Sequence, residues 1–198
     1  MLVNKKIVKH RMKNKKQTLI YLAAASHSGT TMTAMLLGAH PDLCSVGELK
    51  AVHLGNKDSY LCSCKTLVDK CGFWQGVSEK MAIRGQHFCI TDAQTDIRTG
   101  ATPYMLKLLN PLVRGPLMEL VRDSLLFLSP VWRKQLPILQ KRNADYIAAI
   151  REQSGAKAVV DSSKIGIRLK YLLKNQDLDI KVIWVVRDRK STRLNSSH

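Results

Sequence analysis

A short apolar run that ends in small and hydroxyl-bearing residues constrains the fold of this chain more than any other feature. Residues 17–25, QTLIYLAAA, have the pattern of a buried parallel strand. Residues 26–31, Ser-His-Ser-Gly-Thr-Thr, follow at once, and the apolar spacing over 31–37 then favours a helix that Gly38 and Pro41 end. The sequence therefore predicts a strand, a tight loop and a helix in direct succession.

Two later apolar runs extend this pattern. Residues 156–164, AKAVVDSSK, and 181–188, KVIWVVRD, predict a second and a third strand, each with polar residues at its carboxyl end, and a helix is expected at about 165–174. Strands that alternate with helices favour an α/β fold with a doubly wound parallel sheet flanked by helices, and a ligand at the carboxyl ends of the strands.

The segments between these strands are less regular in sequence. Residues 61–75 hold three cysteines, Phe73 and Trp74 in a polar setting, which predicts irregular structure. From Pro103 to about Ser154, a leucine-rich stretch is expected to form several short amphipathic helices. The prolines expected to separate them are Pro111, Pro116, Pro130 and Pro137.

The formal net charge of +17 raises the possibility of a nucleic-acid-binding module. Eight basic or potentially basic residues lie in the first sixteen positions, however, so residues 1–16 are expected to form a solvated, mobile arm. No apolar run is long enough to span a membrane, and a secretory signal would destroy the predicted first strand. The five cysteines, an odd number, favour a reducing compartment, and a soluble cytoplasmic protein is expected.

Residues 188–198, DRKSTRLNSSH, do not continue the preceding pattern. They equal, residue for residue, the translation of a common sequencing adapter. We therefore expect the natural sequence to end at Arg187 or Asp188 in this chain, and the fold to be incomplete at the C-terminus.

The loop after the first predicted strand has the residue types of an anion site. Gly29 allows close approach of the backbone, and the hydroxyls of Ser28, Thr30 and Thr31 and the helix N-terminus can donate to phosphate oxygens. An ordinary Ser/Thr helix cap is the alternative. Thr30 stands where the nucleoside triphosphatase pattern GxxxxGK[ST] has its lysine, and Ala24 replaces the first glycine, which disfavours triphosphate chemistry.

The stretch SHSGTTMTAMLLGAHPDLCSVGEL resembles the 5′-phosphosulfate loop of the P-loop-like sulfotransferase superfamily, and CSCKTLVDKCGFW, VVDSSK and KVIWVVRD resemble its bacterial branch in order and spacing. The resemblance covers nearly all of residues 18–188. It implies that residues 17–187 form the N-terminal part of a sulfotransferase domain that uses 3′-phosphoadenosine 5′-phosphosulfate (PAPS) as co-substrate. The nucleotide-binding residues that it implies are Ser26, His27, Ser28, Gly29, Thr30, Thr31 and Arg187.

This chain departs from the family at two positions. His27 stands where the family usually has Arg or Lys, which is expected to weaken the grip on the 5′ phosphosulfate or make it depend on pH. The family pairs the arginine at the end of the third strand with a serine eight residues on, whereas position 195 is Asn. The chain as written is therefore expected to be a poor or inactive enzyme.

Two residues are candidates for catalysis. Glu48 is the expected general base for the acceptor hydroxyl or amine, and an exposed loop glutamate is the alternative. Lys164 is expected to stabilise charge on the leaving phosphate oxygen, the alternative being a solvated lysine beside a helix cap by Ser162 or Ser163. For Arg187, an ion pair with Asp161 or Asp188 is the alternative to phosphate binding.

Cys62, Cys64 and Cys71 have the C-x-C spacing of a soft-metal site, but a fourth ligand would have to come from Cys44, Cys89 or a histidine. A metal-free structural turn that packs Phe73 and Trp74 is favoured, and sulfuryl transfer itself requires no metal.

The sequence thus predicts a sulfotransferase that moves a sulfuryl group from PAPS to a hydroxyl or amine on a sugar, lipid, peptide or small molecule. A P-loop nucleotide kinase or other phosphotransferase is the alternative, and a nucleic-acid-binding module is the non-enzymatic one.

Overall fold

The fold is built on a four-stranded parallel sheet. The computed structural model describes residues 16–25, 27–50, 60–110 and 115–187. The strands are β1 (Gln17–Ala24), β2 (Leu43–Ser45), β3 (Ala158–Lys164) and β4 (Leu178–Val185), in the spatial order β2-β3-β1-β4. Leu19 of β1 pairs with Val159 on one side and with Ile180 on the other, so β1 is central. The predicted α/β fold with a parallel sheet is confirmed.

Six α-helices accompany the sheet in the described part of the chain. They are α1 (Thr30–Gly38), α2 (Gly72–Ile83), α3 (Pro103–Leu108), α4 (Pro116–Leu128), α5 (Pro130–Ser154) and α6 (Gly166–Leu172), with a 3₁₀ turn at Val68–Lys70. Each long connection between parallel strands therefore contains helix, as such crossovers require.

The two faces of β1 are covered by different helices. Leu19 and Tyr21 are fully buried in the main core, which also contains Ile147 of α5 and Met81 of α2. Leu22, which points to the opposite face by the two-residue period of a strand, packs in a separate cluster with residues of α1 and β3. Helices on both faces explain why β1 is a nearly continuous apolar run rather than an alternating one.

One of the predicted proline breaks is wrong. Pro116 and Pro130 do begin helices, since a first-turn position needs no backbone N–H. Pro137, in contrast, lies inside α5, which is 25 residues long and continues past this proline to Ser154. The helix survives because its later turns bury a long face, including Tyr146 and Ile150, and this tertiary packing outweighs one lost hydrogen bond.

The predicted irregular segment at 61–75 is only partly so. Residues 60–71 contain turns and a single antiparallel bridge between Leu61 and Leu67, but α2 begins at Gly72 and includes Phe73 and Trp74. A side chain at Gly76 would meet the side chain of Gln153, so glycine here permits close approach of α2 to α5.

β4 forms one edge of the described sheet, and much of its surface is open. Trp184 is 71% exposed and Val182 is 45% exposed. Residues 1–15 of the expected arm and the expected adapter tail lie outside the described residues. No helix in the described ranges is long and apolar enough to cross a membrane.

Candidate functional site

The loop between β1 and α1 has an unusual backbone. His27 has φ 62° and Gly29 has φ 86°, so two residues of this short loop adopt left-handed conformations. Non-glycine residues rarely adopt this conformation, and such backbone strain concentrates at functional sites. Ser26, the first residue implied for nucleotide binding, lies outside the described residues.

The N-terminus of α1 is open rather than capped. Gly29 occupies the N-cap position, and no described side chain caps the helix. Ser28 Oγ donates instead to the carbonyl of Ala25 at 2.7 Å. A Cβ placed on Gly29 would have nothing within 4 Å. The described residues therefore do not form the Ser/Thr cap that was the alternative, and first-turn N–H groups of α1 are available to an anion.

The two threonines of the loop differ in access. Thr30 is buried and Thr31 is exposed, although both were predicted to donate to phosphate. Thr31 is therefore the better placed of the two hydroxyl groups for a ligand that arrives from solvent.

Arg187 lies at the loop. Its Nη1 donates to the carbonyl oxygen of His27 at 3.4 Å, which places the guanidinium beside the β1–α1 turn although the two residues are far apart in sequence. Asp161, one of its two alternative partners, is bound by Arg168 instead. Asp188, the other, lies outside the described residues.

Glu48 and Lys164 are in contact. Lys164 Nζ lies 3.2 Å from Oε1 of Glu48, and Lys50 Nζ lies 3.2 Å from Oε2. Both predicted catalytic residues follow strand ends: Glu48 comes after β2 and Lys164 ends β3. Glu48 is therefore paired with two lysines, although its side chain is 38% exposed.

The backbone at Lys164 is strained as well. Lys164 has φ 65°, and the pairing register of β1 with β3 shifts between Tyr21 and Ala23, so β3 carries an extra residue here. Bulges often redirect a side chain near a site. The helix-cap alternative is wrong, because Ile165, and neither Ser162 nor Ser163, is the N-cap of α6, and no side chain among the described residues caps that helix.

A buried ion pair lies beneath these catalytic candidates. Asp161 is 0% exposed and Arg168 is 1% exposed. Arg168 Nε and Nη2 each lie 3.4 Å from Asp161 Oδ2, Nη1 donates to the carbonyl of Thr95 at 2.6 Å, and Nη2 donates to Asn143 Oδ1 at 2.9 Å. A buried charge needs such partners, since leaving it unpaired is costly.

The same ion pair fixes the segment that carries Glu48. The backbone N–H of Leu49 donates to Asp161 Oδ1 at 3.2 Å, and that of Lys50 donates to Ser163 Oγ at 3.2 Å. Ser163 N–H donates in turn to Asp161 Oδ1 at 2.8 Å. Asp161 and Arg168 are positioning residues. The sequence indicated Asp161 only as an alternative partner of Arg187 and did not single out Arg168, and the available signal was an aspartate directly after two valines.

Tyr21 approaches this network from β1. Its hydroxyl donates to the carbonyl of Ile165 at 2.9 Å. Burial, with the nearby charge of Asp161, raises the pKa of Tyr21 far above its ordinary value. Tyr21 is thus a fixed neutral donor and not a candidate base.

A cavity of about 720 Å³ opens beside Glu48. Residues at and after the end of β2, residues 60–64 and several apolar side chains form its wall. The lining includes Gly47, Glu48, Leu49, Tyr60, Leu61, Val68, Phe73, Trp74, Ile90 and Tyr146. A mostly apolar cavity with a few convergent polar groups is the usual form of a small-molecule site.

Three thiols lie at the rim of this cavity. The Sγ atoms of Cys62, Cys64 and Cys71 all lie within 4.8 Å of one another, and those of Cys64 and Cys71 are 3.5 Å apart. A hydrogen bond with the Thr66 hydroxyl, at 3.0 Å, is the main cause that lowers the pKa of Cys64 to about 6. Burial raises the pKa of the Cys71 thiol.

The structure thus brings the predicted residues into two contacts, Arg187 with His27 and Glu48 with Lys164. Both lie at the carboxyl ends of the parallel strands. Comparisons with protein-family models, with curated proteins and with solved structures found no match.

Proposed function

We propose that this chain is a PAPS-dependent sulfotransferase domain that transfers a sulfuryl group to a hydroxyl or amine acceptor. The observation that carries the proposal is the convergence of four strand ends: the open loop after β1, Glu48 after β2, Lys164 at β3 and Arg187 after β4. Ligands of parallel α/β sheets bind at this edge.

The β1–α1 loop is proposed to hold the 5′ phosphosulfate. Support comes from the uncapped N-terminus of α1, the left-handed Gly29 with open space around it, and the exposed Thr31. Oriented backbone N–H groups and the positive end of the helix dipole attract an anion without a lysine. The proposed role of Arg187 is to bind the 3′ phosphate, for which a guanidinium offers paired donors.

In the proposed transfer step, Glu48 and Lys164, which are in contact, act on the acceptor and on the leaving phosphate respectively. The acceptor oxygen or nitrogen attacks sulfur in line, its proton passes to a carboxylate oxygen of Glu48, and the bond from sulfur to the phosphate oxygen breaks. The electron pair of that bond remains on the phosphate of adenosine 3′,5′-bisphosphate, where the Lys164 ammonium stabilises it. The adjacent cavity of about 720 Å³ would receive the acceptor.

Nucleotide binding tests the loop. Gly29→Val should abolish calorimetric binding of adenosine 3′,5′-bisphosphate, because its side chain would enter the open space and strain a backbone at φ 86°. Gly85→Val is the matched control, since Gly85 has φ 72° and also has nothing within 4 Å of a built Cβ, but lies beyond α2. Equal loss in both variants, or tighter binding of magnesium–ATP than of the bisphosphate, would contradict the proposal.

Single-turnover transfer tests the base. Glu48→Gln should leave nucleotide affinity within about threefold and slow transfer by about 10²-fold or more. Glu79→Gln, a change of an exposed glutamate on α2, is the control and should alter neither quantity. Both assays should be run on this chain and on the product of the uninterrupted gene, because residues 188–198 are expected not to be natural. If Glu48→Gln lost nucleotide affinity and transfer rate to the same extent, the assignment of Glu48 as the base would be wrong.

A further inference from the structure

The three-cysteine cluster begins in a turn that is well fixed by its backbone. The N–H of Cys62 donates to the carbonyl of Thr66 at 2.8 Å, and the N–H of Lys65 donates to the carbonyl of Cys62 at 2.8 Å. Lys65 has φ 66°, a left-handed conformation that closes the turn. The main chain alone therefore holds Cys62 and Cys64 on one small loop.

The third cysteine belongs to a different element. Cys71 is the N-cap residue of α2, a helix of 12 residues, and its side chain is buried. The N-terminus of a helix favours a negative group such as a thiolate. The cluster thus joins the turn at 62–66 to the N-terminus of α2.

The distances between the sulfur atoms fit one metal ion. Thiolates bind zinc at about 2.3 Å in a tetrahedral arrangement, which sets their sulfur atoms about 3.8 Å apart. Here the three Sγ atoms lie within 4.8 Å of one another and the Cys64–Cys71 pair is at 3.5 Å. All three are free thiols, and the exposed Cys64 leaves a path by which an ion can enter.

We propose that Cys62, Cys64 and Cys71 bind one Zn²⁺ ion and supply three of its four ligands. The sequence alone favoured a metal-free turn because a fourth ligand would have had to come from Cys44, Cys89 or a histidine. Three protein ligands and one exchangeable ligand are, however, a regular form of zinc coordination. Soft thiolates select zinc over magnesium or calcium.

Binding is a simple exchange of protons for metal. Each sulfur binds as a thiolate, any proton that it still carries passes to the buffer, three sulfur–zinc bonds form, and no atom changes oxidation state. The ion ties the 60–68 turn to α2, and both elements contribute to the wall of the cavity beside Glu48. The site therefore shapes that cavity, whatever ligand the cavity takes, and it does not depend on the proposed sulfotransferase activity.

Metal titration of the full chain tests the proposal. The reduced, chelator-treated protein should bind one equivalent of Zn²⁺, measured by competition with a chromogenic chelator. Co²⁺ in its place should give an intense thiolate charge-transfer band and the visible bands of tetrahedral coordination. Cys64→Ser should weaken Zn²⁺ binding at least tenfold, and since Cys64 is exposed, the variant should keep the circular dichroism of the parent.

Cys89→Ser is the matched control. Cys89 is an exposed cysteine outside the cluster, in contact with Thr91 Oγ1 at 3.0 Å, so its replacement should leave zinc affinity unchanged. The proposal is overturned if the reduced parent binds no Zn²⁺, if Cys64→Ser and Cys89→Ser have the same affinity, or if mass spectrometry shows that Cys64 and Cys71 form a disulfide that persists in reductant.

Discussion

β3 and β4 flank β1 in the same parallel pairing, yet their surroundings are opposite. In β3 every residue from Ala158 to Ser163 is buried, whereas in β4 only Leu178 is. Both strands contain adjacent β-branched residues and both hydrogen-bond to β1. The difference shows that strand pattern and backbone pairing do not determine the contribution of a strand to stability, because packing against its faces does.

The largest expected difference lies in the ion pairs of the two strands. Arg168→Met leaves the carboxylate of Asp161 buried without its guanidinium, and should lower the free energy of unfolding by about 3–5 kcal/mol. Lys181→Met breaks the 3.1 Å pair with Asp179 on β4, where the Lys181 side chain is 65% exposed, and should cost about 1 kcal/mol or less.

Urea unfolding of both variants measures this difference. If Arg168→Met does not fold, Arg168→Lys keeps the charge, loses the paired donors and should still be less stable than Lys181→Met. Similar urea midpoints for the Arg168 and Lys181 variants would show that the two ion pairs contribute equally to stability, contrary to this expectation.

A matched pair of valines gives a medium effect. Val160 of β3 is 0% exposed and Val182 of β4 is 45% exposed. Val160→Ala should cost about 2 kcal/mol, from lost burial of two methyl groups and the cavity left behind. Val182→Ala should change the free energy of unfolding by about 0.5 kcal/mol or less. Thermal unfolding monitored by circular dichroism ranks the two, and a larger shift for Val182 would mean that β4 is covered in solution.

The smallest expected effect is the difference in stability between a Gly and an Ala variant, which should have opposite signs in β3 and in β4. At Lys164, where φ is 65°, Gly should be more stable than Ala by about 1 kcal/mol, because Ala is strained in a left-handed conformation. At Lys181, inside β4, Gly should be less stable than Ala by about 0.5–1 kcal/mol, since it loses more chain entropy. Comparing Gly with Ala at each position cancels the loss of the lysine itself. If Gly and Ala ranked in the same order of stability at both positions, the inference of backbone strain at Lys164 would be wrong.

The sequence was sufficient for the strands that are long and apolar. β1, β3 and β4 each contain an apolar run that identifies a strand in the sequence, and α1 has its glycine and proline stop signals. β2, with only Leu43–Ser45, was missed because three residues show no period. The length of α5 was missed because burial outweighs Pro137, a balance that local patterns do not reveal.

The candidate site was likewise predictable only in part: the sequence indicated individual residues but not the contacts between them. His27, Gly29, Lys164 and Arg187 were selected as motif residues at predicted strand ends, and Glu48 was selected as a carboxylate shortly after the predicted helix of the loop. Their pairing, and the Asp161–Arg168 network beneath Glu48, depends on how distant segments meet in space, which a single sequence does not specify.

The central position of β1 has a consequence for biosynthesis. β1 is the first described strand to be synthesised, and its two neighbours, β3 and β4, are the last. Its apolar residues, among them Leu19 and Leu22, therefore leave the ribosome long before either partner strand exists. Such late, long-range pairing slows folding and leaves the nascent chain open to aggregation, so this protein should require chaperone protection until the end of translation.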